Sequence, residues 1–271
     1  MAQSLGSQAI RHGPDPVPHG PDTQPAIETI WTASGADRRR CDPAPEADGA
    51  ALDRLEAGLL SPESDGAREA LDDLAAWGIP AEEVADLHVP AMARRLGLRW
   101  HRDELSFAQV TIGMSRLQRL VRDIVAEFDT DRCVGREVGS LLLVVPEQEQ
   151  HTLGAILLCG QLRRRGLSVR LWLGFRPGDA ADALTSGSYD GVFISASRSY
   201  GLENLQEVIK SVRDAALSTL PVCIGGSFTE PLRLPRDVEA AVHMTEDIDE
   251  ALEICGIHTR VAPPAPRALR S

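Results

Sequence analysis

The residues best suited to chemistry stand in the loop from Pro146 to Gly154, which offers a carboxylate at Glu149, an imidazole at His151, a hydroxyl at Thr152 and the glycine itself. Neutral imidazole is a good metal ligand. A carboxylate two residues away in an extended loop lies on the same side and can hold the other ring N–H, which fixes the tautomer. Thr152 is placed to cap a following helix. Two more groups have similar potential: the hydroxyls of Ser195, Ser197 and Ser199, and the run Gly225-Gly226-Ser227, where missing side chains let backbone lie close against a bulky ligand. Singly, a loop histidine is most often solvated, a glycine pair is most often a turn, and a serine-rich loop most often caps a helix. Together they describe a site for a metal-bearing or phosphate-bearing ligand with a large flat or extended part.

The elements that must position these groups are legible around them. Apolar runs at 140–146, 168–174, 190–196, 221–227 and 240–244 read as strands buried on both faces. Helical patterns at 152–166, 177–187, 202–217, 230–240 and 246–256 alternate with them. That alternation predicts an α/β fold with a doubly wound, five-stranded parallel sheet of flavodoxin or Rossmann-like type, in which ligands bind at the carboxyl ends of the strands. In a flavodoxin-like strand order the first, third and fourth strands are neighbours, so the three loops converge. Upstream, 50–60, 65–78, 81–100 and 105–128 place apolar residues at three- and four-residue spacing, predicting a bundle of four short helices in which Pro90 begins or kinks a helix.

Composition bounds the rest. The 271 residues are 43% hydrophobic and 25% charged, as in globular chains. No apolar run is long enough to span a membrane and the N-terminus lacks the apolar core of an export signal, so a cytoplasmic chain with no membrane association is expected. Five scattered cysteines without a CxxC pair suggest neither a disulfide framework nor a zinc site. A net charge of −12 argues against a phosphate backbone as main partner, and the runs Arg38–Arg40 and Arg163–Arg165 are too short to reverse it. Residues 1–48 hold seven of the eighteen prolines and are expected to be a disordered leader, with Trp31 a candidate docking point. The domains expected are that leader, a helical bundle over 49–130, a Rossmann-like domain over 136–260 and a disordered tail over 261–271.

The string Glu149-x-His151-x-x-Gly154, followed after 40 residues by Ser195-x-Ser197 and after another 27 by Gly225-Gly226, resembles the DxHxxG, SxL and GG signature of cobalamin-binding domains. The resemblance implies that His151 is the lower axial ligand to cobalt and that the serines and glycines line a slot for the displaced nucleotide tail. It also implies that the bundle caps the corrin. The family's aspartate is here Glu149 and its leucine is Ser197. The serine that completes a proton relay in methionine synthase aligns with Gly201, a loss that argues against methyl transfer.

In the bundle, Trp100-His101 resembles the first pair of the Trp-x9-Glu-His motif of CarH-type photoreceptors, but the second pair is Val110-Thr111. This implies His101 as a possible upper ligand, Trp100 and Val110 at the upper face, and a preference for hydroxocobalamin over adenosylcobalamin. The stretches 100–113 and 149–174 are most similar to the AerR/PpaA regulators of purple photosynthetic bacteria. That resemblance implies a non-enzymatic, light- or redox-responsive antirepressor of photosynthesis genes, which acts on transcription through a repressor of the CrtJ/PpsR type. Two alternatives stay open: a corrinoid methyl carrier of a methyltransferase system, and a haem-binding sensor on the same scaffold.

Overall fold

In a computed structural model, residues 47–131, 138–197, 200–216, 219–226, 236, 242–245 and 247–259 are described. The leader up to residue 46, the helix expected over 230–240 apart from Arg236, and the tail 261–271 lie outside them, as do Ser199 and Ser227.

Five helices come first. Helix α1 (Gly49–Leu60) opens on Asp48, whose carboxylate accepts the Ala50 N–H, and α2 is Gly66–Ala76. Then α3 (Ala81–Glu83) runs through a π turn (Val84–His88) into α4 (Val89–His101). Pro90 explains the turn. It has no N–H to give to a carbonyl one turn back, and just ahead of it the chain widens so that Val89 donates to Val84, five residues back. Pro90 thus sits in the first turn of α4, where proline is tolerated. Helix α5 (Phe107–Asp131) has 25 residues and covers nearly the whole of the periodic stretch 105–128.

Strands β1 (Gly139–Pro146), β2 (Leu167–Phe175), β3 (Gly191–Ser195), β4 (Val222–Gly225) and β5 (His243–Met244) form one parallel sheet in the order β2-β1-β3-β4-β5. The connections described are α6 (Leu153–Arg164), a 3-10 turn (Pro177–Asp179) with α7 (Ala180–Thr185), and α8 (Leu202–Ala215), with α9 (Ile248–Ile254) following β5. The two-residue period of β1 sends Leu141, Leu143 and Val145 into one apolar layer with α6 and α9, and Leu142 and Val144 into the other with α7 and α8. Full burial holds for β3, β4 and, from Leu141 onward, β1. Strand β2 lies at an edge with Arg170 and Leu173 exposed, and both residues of β5 are exposed, which corrects the expectation of five strands covered on both faces.

Helix α6 ties the two parts together because it is apolar on both sides. Ala155, Leu158, Cys159 and Leu162 face the sheet, while Leu153, Ile156 and Leu157 join the bundle core around Leu55, Met92, Leu117 and Ile124. A Cβ on Gly160 would come within 2.8 Å of Val125 Cγ2, so α5 lies close against α6 at that point. Arg164 pairs with Asp86 at 2.6 Å and Gln161 donates to the same carboxylate, fastening the π turn to α6. Among the described residues no helix is long and apolar enough to cross a membrane.

Candidate functional site

The ends of β1 and β3 bring Glu149, His151 and Ser197 into one hydrogen-bonded group. After Pro146 the chain turns, with the Glu149 N–H bonded to the Pro146 carbonyl, and this directs the Glu149 side chain inward until it is 2% exposed. Oε1 of Glu149 accepts the backbone N–H of His151 at 2.8 Å and lies 2.7 Å from its Nδ1. Oε2 accepts the N–H and the hydroxyl of Ser197 at 2.6 and 2.7 Å. Every donor in this group points at the carboxylate. Burial alone would push Glu149 up, but these hydrogen bonds from His151 and Ser197 outweigh it and hold the carboxyl at about 2.

A carboxylate that ionised leaves one consistent tautomer for His151. In the neutral ring Nδ1 carries the proton toward Glu149 and Nε2 is the nitrogen with the lone pair, on a side chain that is 42% exposed. The extra methylene of Glu149 does not weaken the contact. Ser197 Oγ is also 3.1 Å from Nδ1, so the hydroxyl joins both partners. Ser197 thus puts a hydroxyl on the carboxylate, where the resemblance looks for one at position 201 and finds glycine. Gly201 itself has φ of 86° and begins α8 without a side-chain cap, in a conformation that disfavours a serine.

The remaining predicted residues fall as follows. Ser195 is buried at the end of β3, in register with Gly225 on β4, and Ala196 N–H bonds the Gly225 carbonyl. Gly226, with φ of 141°, sits so close to β3 that a Cβ would stand 1.8 Å from the Ala196 carbonyl oxygen. Its first duty is strand packing. Thr152 occupies the N-cap position of α6 but its hydroxyl makes no capping bond, contrary to expectation; Gly154 lies in the first turn of α6. Trp100 is half-buried and His101 exposed at the end of α4, while Val110 packs against the bundle core. These three lie on α4 and α5, and their relation to the loop group runs through α5 and α6.

That relation can be worked from lengths. Phe107 is 18 residues from Val125, about 27 Å along the helix, whereas α6 reaches only about 10 Å beyond Gly160 at its farther end. The first turns of α5 therefore stand clear of α6. Phe107 and Ile112 on α5 and Leu98 on α4 are 70%, 49% and 55% exposed. Sequence reasoning missed these three because they fit the helical repeat. It also missed Tyr200, whose phenol is pushed up by burial and then by the charges of Glu207, Glu149 and Glu147.

Fold and site together define a doubly wound α/β protein with a helical bundle and a carboxylate-oriented histidine at the strand ends. The chain is 35% identical over 159 residues, 58% of its own length and 82% of the relative's, to the "Uncharacterized 20.5 kDa protein in bchF-crtJ intergenic region" of Rhodobacter capsulatus. It belongs to the family of that protein, in keeping with the AerR/PpaA-type resemblance of its sequence. No protein-family model matches the chain. Among solved structures it is similar to the methanol:cobalamin methyltransferase complex MtaBC from Methanosarcina barkeri, with 13% identity, a TM-score of 0.38 and 80% and 83% of the two chains covered. It is also similar to a cobalamin-binding protein from Desulfitobacterium hafniense DCB-2, with 15% identity, a TM-score of 0.34 and 76% and 97% covered.

Proposed function

We propose that this chain is a cobalamin-binding transcriptional regulator, responsive to light or redox state, that relieves repression of photosynthesis genes through a partner repressor of the CrtJ/PpsR type and performs no catalysis itself. The observation that carries the reading is the Glu149–His151–Ser197 group at the strand ends. The donor set fits the cofactor. The buried carboxylate accepts the hydrogen bond from Nδ1–H, and Nε2 is the atom that would hold the cobalt. The exposed Phe107, Ile112 and Leu98 offer the flat apolar cover that a corrin's upper face needs, with His101 the candidate upper ligand and Trp100 and Val110 beside it. Ser195 and the chain after Gly225 border the space for the nucleotide tail. Alkyl forms of cobalamin carry a cobalt–carbon bond that light cleaves, and light would then act by making the hydroxo form that binds. The protein's own part is to fix the imidazole, exclude water from the corrin faces and present the bundle to a partner. The relative encoded in the bchF-crtJ region supports a repressor of that kind as partner.

Purified His151→Ala and His258→Ala proteins loaded with hydroxocobalamin, and separately with haem, provide the test. His258 is exposed and remote from the loops in sequence. Loss of the lower-ligand spectrum only in His151→Ala is expected; an unchanged spectrum there overturns the axial assignment, and saturable binding of haem but not cobalamin replaces the cofactor. The partner arm is a shift assay with the repressor on its promoter DNA. The chain alone is expected to bind that DNA weakly and to alter the repressor's grip; tight, sequence-specific binding by the chain alone at physiological salt refutes the antirepressor reading.

A second reading, a corrinoid methyl carrier, is favoured by one observation. Ser197 provides the hydroxyl whose absence at Gly201 counted against it. Acceptance of a methyl group from a methylated donor and its methyltransferase would establish that reading in place of the first.

A further inference from the structure

Cys223 and Cys255 are separated by 31 residues and share no motif, yet β4 and α9 bring them into one apolar layer. Cys223 is fully buried on β4, where its thiol donates to the Ala251 carbonyl at 3.9 Å. Cys255 follows α9 and donates its own N–H to that same carbonyl at 3.3 Å. Gly191 on β3 makes the room: a Cβ there would stand 2.4 Å from the Cys255 sulfur. The two sulfurs differ in access, since Cys255 is half-buried.

We propose that Cys223 and Cys255 are a peroxide-oxidisable dithiol, with Cys255 the sulfur attacked first and Cys223 the one that closes the disulfide. Their difference in access sets this order, since peroxide can reach the half-buried Cys255 sulfur and not the enclosed Cys223 sulfur. The same order agrees with the charges: the neighbouring Cys223 holds the Cys255 thiol low against burial and the Asp190 charge, while Cys255 and burial push the Cys223 thiol up. The Cys255 thiolate attacks one oxygen of hydrogen peroxide, the O–O bond breaks, and hydroxide leaves to take up a proton as water. Cys255 is now a sulfenic acid. The Cys223 sulfur then attacks the Cys255 sulfur, the S–O bond breaks, and the hydroxyl leaves as water with the Cys223 proton. Two thiols and one peroxide give one disulfide and two waters.

The site matters because Cys223 is two residues before Gly225 on the same strand. A bond from β4 to α9 tethers the strand that ends beside Ser195 and Ala196. The inference is independent of the corrinoid reading, since neither sulfur belongs to the loop group around His151.

The test uses the full reduced chain, treated with one equivalent of hydrogen peroxide, unfolded in an alkylating agent and mapped by non-reducing peptide mass spectrometry. A linked peptide containing Cys223 and Cys255 is expected, lighter by two hydrogens than the reduced pair and abolished by dithiothreitol, while Cys159 stays alkylatable. In Cys223→Ala, shown folded by circular dichroism, Cys255 should accumulate as a dimedone-trapped sulfenic acid; in Cys255→Ala, Cys223 should remain reduced. Wild-type protein in which Cys255 stays alkylatable, or links mainly to another cysteine, overturns the proposal without touching the His151 assignment. So does equal oxidation of Cys223 when Cys255 is replaced.

Discussion

Replacing Glu149 with glutamine changes one oxygen for an amino group at the centre of four converging donors, and the cost can be worked out. The carboxylate accepts from His151 N, His151 Nδ1, Ser197 N and Ser197 Oγ, all within 2.8 Å. The carboxamide keeps one accepting oxygen. Its best arrangement turns that oxygen to His151 and lets the Ser197 hydroxyl rotate to accept from the new NH2, which leaves the Ser197 N–H buried and facing a donor. One such orphan costs about 1–3 kcal/mol, and two charge-assisted bonds are weakened besides. An independent route gives a similar figure. Glu149 is lowered from 4.5 to about 2, so the folded state prefers the ionised form by about 3 kcal/mol at about 1.4 kcal/mol per pH unit. The melting temperature should then fall by about 6–12 °C at pH 7, at about 2–4 °C per kcal/mol for an ordered region of this size. The pH dependence has a definite sign. Because the folded value lies below the unfolded one, the contribution is complete above about pH 5 and is lost as pH falls toward 2. Thermal melts of wild type and Glu149→Gln from pH 8 to pH 3 should converge on the acid side, and hydroxocobalamin affinity of the variant should be about 10–100-fold weaker. Equal melting temperatures at pH 7, or a gap that ignores pH, would refute the reasoning.

Further outcomes follow from the same contacts. Gly226→Val should lower the melting temperature and yield of folded protein with or without a corrinoid, because its Cβ meets the Ala196 carbonyl at 1.8 Å; a variant that folds as well as wild type but fails only to bind would show that the glycine serves the ligand slot instead. Phe107→Ser should leave the apo protein's melting unchanged, since the ring is 70% exposed, and should weaken corrinoid binding about tenfold or more if that ring covers the cofactor, a loss readable by spectral titration. Held in darkness, the protein should bind hydroxocobalamin more tightly than adenosylcobalamin, because Val110-Thr111 stands where the CarH motif has glutamate and histidine; equal or tighter dark binding of the adenosyl form would remove the light logic and leave the His151 assignment standing.

How far the sequence carried each of these conclusions depends on whether the deciding contact is local. Glu149 and His151 are two residues apart in one turn, so their pairing was legible from residue types alone, and the alternation of runs fixed which loops share the strand-end edge. The edge status of β2 was not legible, because an apolar run reads alike whether one neighbour or two cover it, and only the order β2-β1-β3-β4-β5 decides. The relay hydroxyl shows the limit of reasoning by register. Counting along a family motif assigns it to position 201, yet what a buried carboxylate needs is any donor at hydrogen-bond distance, and the turn after β3 delivers both the N–H and the hydroxyl of Ser197 to one oxygen of Glu149. Gly226 inverts the lesson: the residue type was read correctly as allowing close approach, but what approaches is the backbone of Ala196, at a spacing no ligand is required to explain. Cys223 and Cys255 had no local signal at all. A spacing rule can find a pair held by one loop, whereas these two meet only because a strand and a helix pack face to face, and that packing is dictated by Ile248, Ala251 and Leu252, none of which carries chemistry.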